Sequence, residues 1–153
     1  MKVISQLSNF NKLDCGSSLI EVALVTPVLL LLLLGTFDFG LAFFTAIEVA
    51  GAAHAGAEYG IQNPSDSAGI QAAAIADAPD VSGLTISTSA YGCECSDGTA
   101  FSATCSSTPS CTNNVVYRVT VNASTTYKPL FPWPGIPSAI PLSQSATMRS
   151  GGS

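Results

Sequence analysis

The stretch that decides the fold is Gly16-Ser17-Ser18-Leu19-Ile20-Glu21, followed without a break by VALVTPVLLLLLLGTF at 22–37. Those sixteen residues carry no charge, and apolar residues continue past Asp38 through Phe39, Leu41, Phe43, Phe44 and Ile47. About 20 mostly apolar residues rising about 1.5 Å each cross the roughly 30 Å hydrocarbon layer, so the segment reads as a membrane helix over about 19–44. A lone carboxylate, Glu21, stands directly in front of the run. An acid in an apolar layer is costly unless it is paired, so its position calls for a partner.

The order of small, charged and apolar residues separates the membrane-directed readings. A cleaved secretory signal carries its small-residue cut site after the apolar region, whereas Gly16 comes before it. Lipidation of Cys15 would need an apolar stretch ahead of the cysteine, and Asn11-Lys12-Leu13-Asp14 is polar. An uncleaved anchor stays open, with 1–14 as a short cytoplasmic tail and Glu21 as an interfacial acid. Lys2 and Lys12 precede the span, and no Lys or Arg follows until Arg118. By the positive-inside rule the N-terminus is cytoplasmic and everything beyond about Phe44 is exported.

Pro27 and Gly35 are possible bends within the span, tolerated in lipid where neighbours or local adjustment satisfy the freed backbone groups. Asp38 lies about 25 Å along the axis from Glu21 and reads as an interfacial acid at the outer leaflet, with a packing role against a partner protein as the alternative. Beyond Phe44 the residues become small, and Gly51/Ala55, Ala52/Gly56 and Gly56/Gly60 have the spacing that lets a second backbone approach closely. One helix over 19–59 would be about 60 Å long, so its distal half stands outside the membrane and packs on the exported domain. His54, the single histidine, falls on this stretch and reads as a solvated or packing residue.

From about Asn63 onward charges are few and Ser, Thr, Gly and Pro abound. Ser65 or Asp66 can cap a short helix over 67–78, which Pro79 stops. The apolar period then becomes two: Leu84, Ile86, Thr88 and Ala90; Val115, Tyr117, Val119, Val121 and Ala123; Ile140, Leu142, Ala146 and Met148. Three strands predict a small antiparallel sheet with one apolar face, covered by the helix at 45–59. The connection 128–141 holds five prolines around Phe131 and Trp133 and predicts an ordered loop without regular structure.

Of five cysteines, Cys15 precedes the span while Cys93, Cys95, Cys105 and Cys111 lie together on the exported side. An even count in an oxidising compartment reads as two disulfides, which a domain with a thin core needs. Cys93 and Cys95 are too close for an easy mutual bond. The pairing is then nested (Cys93 with Cys111, Cys95 with Cys105) or crossed, and the nested form suits the loop of an extended hairpin. The spacing matches no common zinc ligand set, and Glu94, Asp97 and Gly98 lack the full oxygen spacing of a calcium loop.

Several function classes lose support. One histidine, no nucleophile and base pair, and no glycine-rich phosphate loop speak against an enzyme, and no cofactor is expected. A net charge of -5, with only Arg118, Lys128 and Arg149 basic in the exported part, speaks against nucleic acid.

A leader ending in Gly16, Glu21 as the fifth residue after it, and an apolar helix resemble the type IV prepilin group. Within that group the chain is closest to TadE-like pseudopilins of the tight-adherence (Flp) pilus machinery. The residues concerned are Gly16-Ser17-Ser18-Leu19-Ile20-Glu21-Val22-Ala23-Leu24, Pro27 and Gly35-Thr36-Phe37-Asp38-Phe39-Gly40. The alternating Tyr117-Arg118-Val119-Thr120-Val121, the Pro129-Leu130-Phe131-Pro132 turn and the closing Ala146-Thr147-Met148-Arg149 fit more loosely. The leader departs from the group in having no basic pair beside Gly16, and 92–111 has no counterpart, marking an elaboration of this chain.

The resemblance implies a pilin-like α+β fold: a leader over 1–16, an N-terminal helix over 17–61, and an exported domain over 62–153. It implies a cut between Gly16 and Ser17 by a membrane aspartyl prepilin peptidase at the bacterial inner membrane. Partners would be that peptidase and other pilins and pseudopilins, in a minor pilin-like role. Glu21 would then lie about 6 Å along the helix from the new terminal amine of Ser17, a suitable partner in the same or a neighbouring subunit. Two alternatives stand beside this reading: an uncleaved single-pass anchor presenting an adhesion or ligand-binding domain, and, more remotely, a membrane-tethered metal or thiol-redox protein.

Overall fold

A computed structural model describes residues 11–102, 105 and 109–150, the side chains of 11–17 and 88–90 excepted. Residues 1–10 of the expected leader therefore lie outside the described residues. The chain divides into two compact units, Met1–Gly40 and Leu41–Ser153.

The first unit is the N-terminal part of a single helix, α1 (Asn11–Gln62), with Pro27 inside it. Its large apolar side chains point outward all round: Leu24 is 73% exposed, Leu29 56% and Leu32 64%. A helix that is apolar on every face and covered by nothing is one whose solvent is not water.

The second unit is built on the last turns of α1, then α2 (Ser67–Asp77), β1 (Thr85–Cys95), β2 (Phe101–Ser102), β3 (Val115–Tyr127) and β4 (Ile140–Ser150). The strands form one antiparallel sheet in the order β2-β1-β3-β4. Three strands were expected and four are present among the described residues. The expected first strand runs on to Cys95, through an irregularity between Ser89 and Gly92, and then turns back into the short β2.

The period of two in β3 becomes burial directly. Val119, Val121, Ala123 and Thr125 are buried, with half-buried or exposed residues between them. Against that face lie Val49, Ala52, Ala53 and Ala57 of α1, and Ile70 and Ala74 of α2. Positions 49, 52, 53 and 57 recur at the helical period and make one stripe. The expected cover of the sheet by 45–59 is therefore observed. The core is made mostly of alanine and valine, so helix and sheet approach closely.

The small-residue spacing has a concrete cause. A Cβ on Gly56 would lie 3.1 Å from Val121 Cγ1 and 3.2 Å from Ala74 Cβ, and one on Gly60 would lie 2.8 Å from Val119 Cγ1. Asp66 is the residue that caps α2, its carboxylate accepting from the Gly69 amide at 2.9 Å. Tyr59 at the end of α1 donates to the same carboxylate at 2.8 Å, tying the two helices together.

Candidate functional site

The junction singled out from the sequence lies within α1, where the backbone of Gly16 and Ser17 is helical. Glu21 is exposed on the same helix, with Leu19, Ile20, Val22 and Leu24 exposed around it. From Ser18 onward the helix is long and apolar enough, by length and composition, to cross a membrane. The junction is thus a carboxylate on an apolar rod, with no pocket or catalytic group built around it among the described residues.

Asp38, expected as an interfacial acid at the outer leaflet, is not on the surface of the structure. It is 4% exposed, although Phe37 and Phe39 on either side are 60% and 57% exposed. The carboxylate is withdrawn from solvent. His54 is exposed, as a solvated histidine would be.

The four cysteines beyond the apolar helix form two disulfides, Cys93 with Cys105 and Cys95 with Cys111, with Cα separations of 5.3 and 5.5 Å. The pairing is crossed, and the nested preference is corrected. The strand register supplies the reason. In the β1–β2 hairpin Cys93 lies opposite Ser102, and the Cys95 amide donates to the Ala100 carbonyl. Cys105 follows Ser102 by three residues in sequence, and Cys111 precedes Val115, the first residue of β3 and the one opposite Cys95, by four. Cys105 is thereby delivered to Cys93, and Cys111 to Cys95. With every one of these sulfurs in a disulfide, none offers a thiolate to a metal.

Asp97 stabilises the turn inside this double loop. Its Oδ1 accepts from the Thr99 amide at 3.0 Å and the Thr99 hydroxyl at 2.7 Å, and its Oδ2 accepts from Asn113 at 3.3 Å. The Thr99 hydroxyl first, then the Thr99 amide, hold its pKa below the ordinary value, because each bond favours the charged form. The weak resemblance to a calcium turn is accounted for by these contacts.

Glu94 was not recognised in the sequence as anything but a possible cation ligand. It is 3% exposed and is paired with two arginines, Arg118 at 3.4 Å and Arg149. Arg118 on β3 and Arg149 on β4 are direct cross-strand neighbours, a repulsive arrangement unless an anion lies beside both. Glu94 is that anion. Phe101 of β2 adds its ring face to Arg118, 5.2 Å from the guanidinium carbon. One buried carboxylate thus joins three strands at the disulfide end of the sheet. Three charges spaced 24 and 31 residues apart give no local signal; only the register reveals them.

An apolar helix of membrane-spanning length, continuing into a small antiparallel sheet with two disulfides, defines an α+β protein of pilin-like architecture. Residues 16–58 match the model of the TadE-like protein family, so that N-terminal segment is similar to TadE-like proteins. No curated protein and no solved structure matches the chain.

Proposed function

We propose that the chain is a minor pilin-like subunit, inserted as a single-pass precursor and cut after Gly16, that acts in assembly or initiation of a tight-adherence pilus. The observation that carries this reading is the TadE-like match, which begins at Gly16 itself and runs through the span to Glu58. The candidate cut, the acid and the apolar rod all fall inside that match.

The proposed role is structural, by packing. After cleavage the Ser17 amine and the Glu21 carboxylate lie on one helix, about 6 Å apart along the axis. In an apolar layer such a pair satisfies both charges, within a subunit or between neighbours, and a pair between neighbours sets their stagger. Lys2 and Lys12 hold the N-terminus in the cytoplasm, where a prepilin peptidase would work, and the disulfide-bonded domain is exported. Its partners are that peptidase, other pilins and pseudopilins, and the inner membrane; no catalytic activity is assigned.

N-terminal sequencing of the membrane-extracted chain from a host with the peptidase is the test. Ser17 as first residue supports the reading, and replacing Gly16 by a bulky residue should leave the full precursor. An intact Met1 in the presence of active peptidase would overturn it in favour of an uncleaved anchor.

A further inference from the structure

We propose that the proline-rich loop between β3 and β4, with Lys128, Leu130, Phe131 and Trp133, lies on the bilayer surface at the outer interface, making the exported domain's lower end a second membrane contact. This inference rests on the reading of α1 as a membrane span that ends near Phe44.

Within the second unit, α1 and β3 run antiparallel. Gly60 approaches Val119, and Gly56 approaches Val121, two residues further along β3. Continuing in that sense, Thr45 borders the same open cavity of about 550 Å³ as Thr125, Tyr127 and Lys128. The C-terminal end of β3 is therefore level with the start of this unit's helix, where Phe43, Phe44 and Ile47 are 70%, 56% and 68% exposed. The loop that leaves β3 there begins at the membrane exit.

Its composition suits that level. Leu130 is 58% and Phe131 41% exposed, and Trp133 is half-buried. In water such a cluster is costly; at the headgroup layer aromatic side chains are favoured, each with an apolar body and a wet edge. Pro129, Pro132 and Pro134 restrict the backbone, and the Ile136 amide donates to the Trp133 carbonyl at 3.2 Å. The loop is preshaped, so little ordering entropy opposes its contact with lipid. Lys128 and Asp80 line the same cavity, presenting both signs of charge. That arrangement matches a zwitterionic headgroup and does not require anionic lipid. The occupant is therefore the lipid surface, continuous with the span a few residues away.

Trp133 is the single tryptophan, so its fluorescence reports the loop alone. The full chain is reconstituted into phosphatidylcholine vesicles, and recovery by flotation establishes insertion. Emission is then quenched either by phosphatidylcholine brominated near the glycerol end of its acyl chains or by aqueous iodide. The expected result is a larger loss of emission with the brominated lipid than with iodide. Because Trp133 is half-buried, a second chain carrying Leu130→Trp and Trp133→Phe places the probe at an exposed position and should give the same ordering. Addition of phosphatidylglycerol should change either loss little.

Loss to iodide exceeding loss to lipid in both chains, or no loss to lipid in either, overturns the proposal and leaves a protein partner as the occupant. Failure to float would remove the membrane reading itself and the loop proposal with it. Flotation without lipid quenching would remove the loop proposal alone.

Discussion

The two halves of α1 share a backbone and differ in solvent. Between Leu19 and Leu34 the large apolar residues remain 37–73% exposed, whereas Val49, Ala52, Ala53 and Ala57 are 0–1% exposed against the sheet and α2. The first half is Leu-rich and specifies no face, as suits a rod surrounded by lipid. The second is Ala- and Gly-rich, and specifies a face by removing side chains where other elements approach. The boundary between membrane and protein surroundings is therefore written as a change of side-chain volume, with helical structure continuing through it.

The largest way to break this comparison is to weaken the Leu41–Ser153 unit and leave the rod untouched. The two disulfides close stretches separated by 12 and 16 residues, each of a length for which closure contributes about 3 kcal/mol, less in sum because the loops overlap. Reduction should lower the thermal midpoint of the Leu41–Ser153 unit by many degrees while membrane insertion is retained. Counting free thiols at Cys93, Cys95, Cys105 and Cys111 in the untreated, oxidised protein would remove the premise.

Truncations compare the halves side by side. Val121→Ala removes two methyl groups from a site that is fully buried, at a cost of about 2 kcal/mol. Leu32→Ala removes more apolar volume, yet Leu32 is 64% exposed, and denaturation of the Leu41–Ser153 unit should be unchanged. Equal effects on domain unfolding would mean that the halves do not differ as described. Glycines give a finer contrast. Gly→Ala in a helix gains up to about 1 kcal/mol from propensity, but at Gly60 the new methyl would lie 2.8 Å from Val119 Cγ1 and 3.1 Å from Ile70 Cδ1. Overpacking costs about 1–3 kcal/mol, so Gly60→Ala should destabilise the domain. Gly40→Ala meets nothing within 4 Å and should leave unfolding of the domain unchanged.

Such contrasts also show which features were legible from the residues in order. Apolar length located the rod, the change to Gly and Ala located the packed half, and alternation along β3 located the core face. Each is a periodicity within one element. The cap at Asp66 was legible too, because a capping carboxylate acts on an amide only three residues away. What was not legible depends on register between elements. The two-residue β2 is too short to show a period. Crossed disulfides follow from where the hairpin at Cys95 turns, and the Glu94–Arg118–Arg149 cluster follows from three strands lying in one alignment.

The smallest expected effect concerns the end of the packed half, where Tyr59 meets the α2 cap. The Asp66 pKa lies below its ordinary 3.8, held down first by the Gly69 amide and then by the Tyr59 hydroxyl. A lowered carboxylate pKa contributes stability that is present above 3.8 and lost as pH falls through the folded value. Tyr59 is shifted the opposite way, above 10.0, first because its hydroxyl donates to Asp66. A raised phenol contributes stability below its ordinary pKa that is lost as pH rises through the folded value. One hydrogen bond thus has an acid limit and an alkaline limit, and both are shallow because the groups are exposed. Tyr91 is also raised, by burial first and then by Tyr117, so alkaline loss alone is not diagnostic. The difference between wild type and Tyr59→Phe is diagnostic: the variant should lose part of the alkaline slope of its melting temperature while keeping most of the acid slope, since the Gly69 bond persists. Identical alkaline slopes in the two proteins would show that the Tyr59–Asp66 bond contributes nothing to holding the end of α1 on α2.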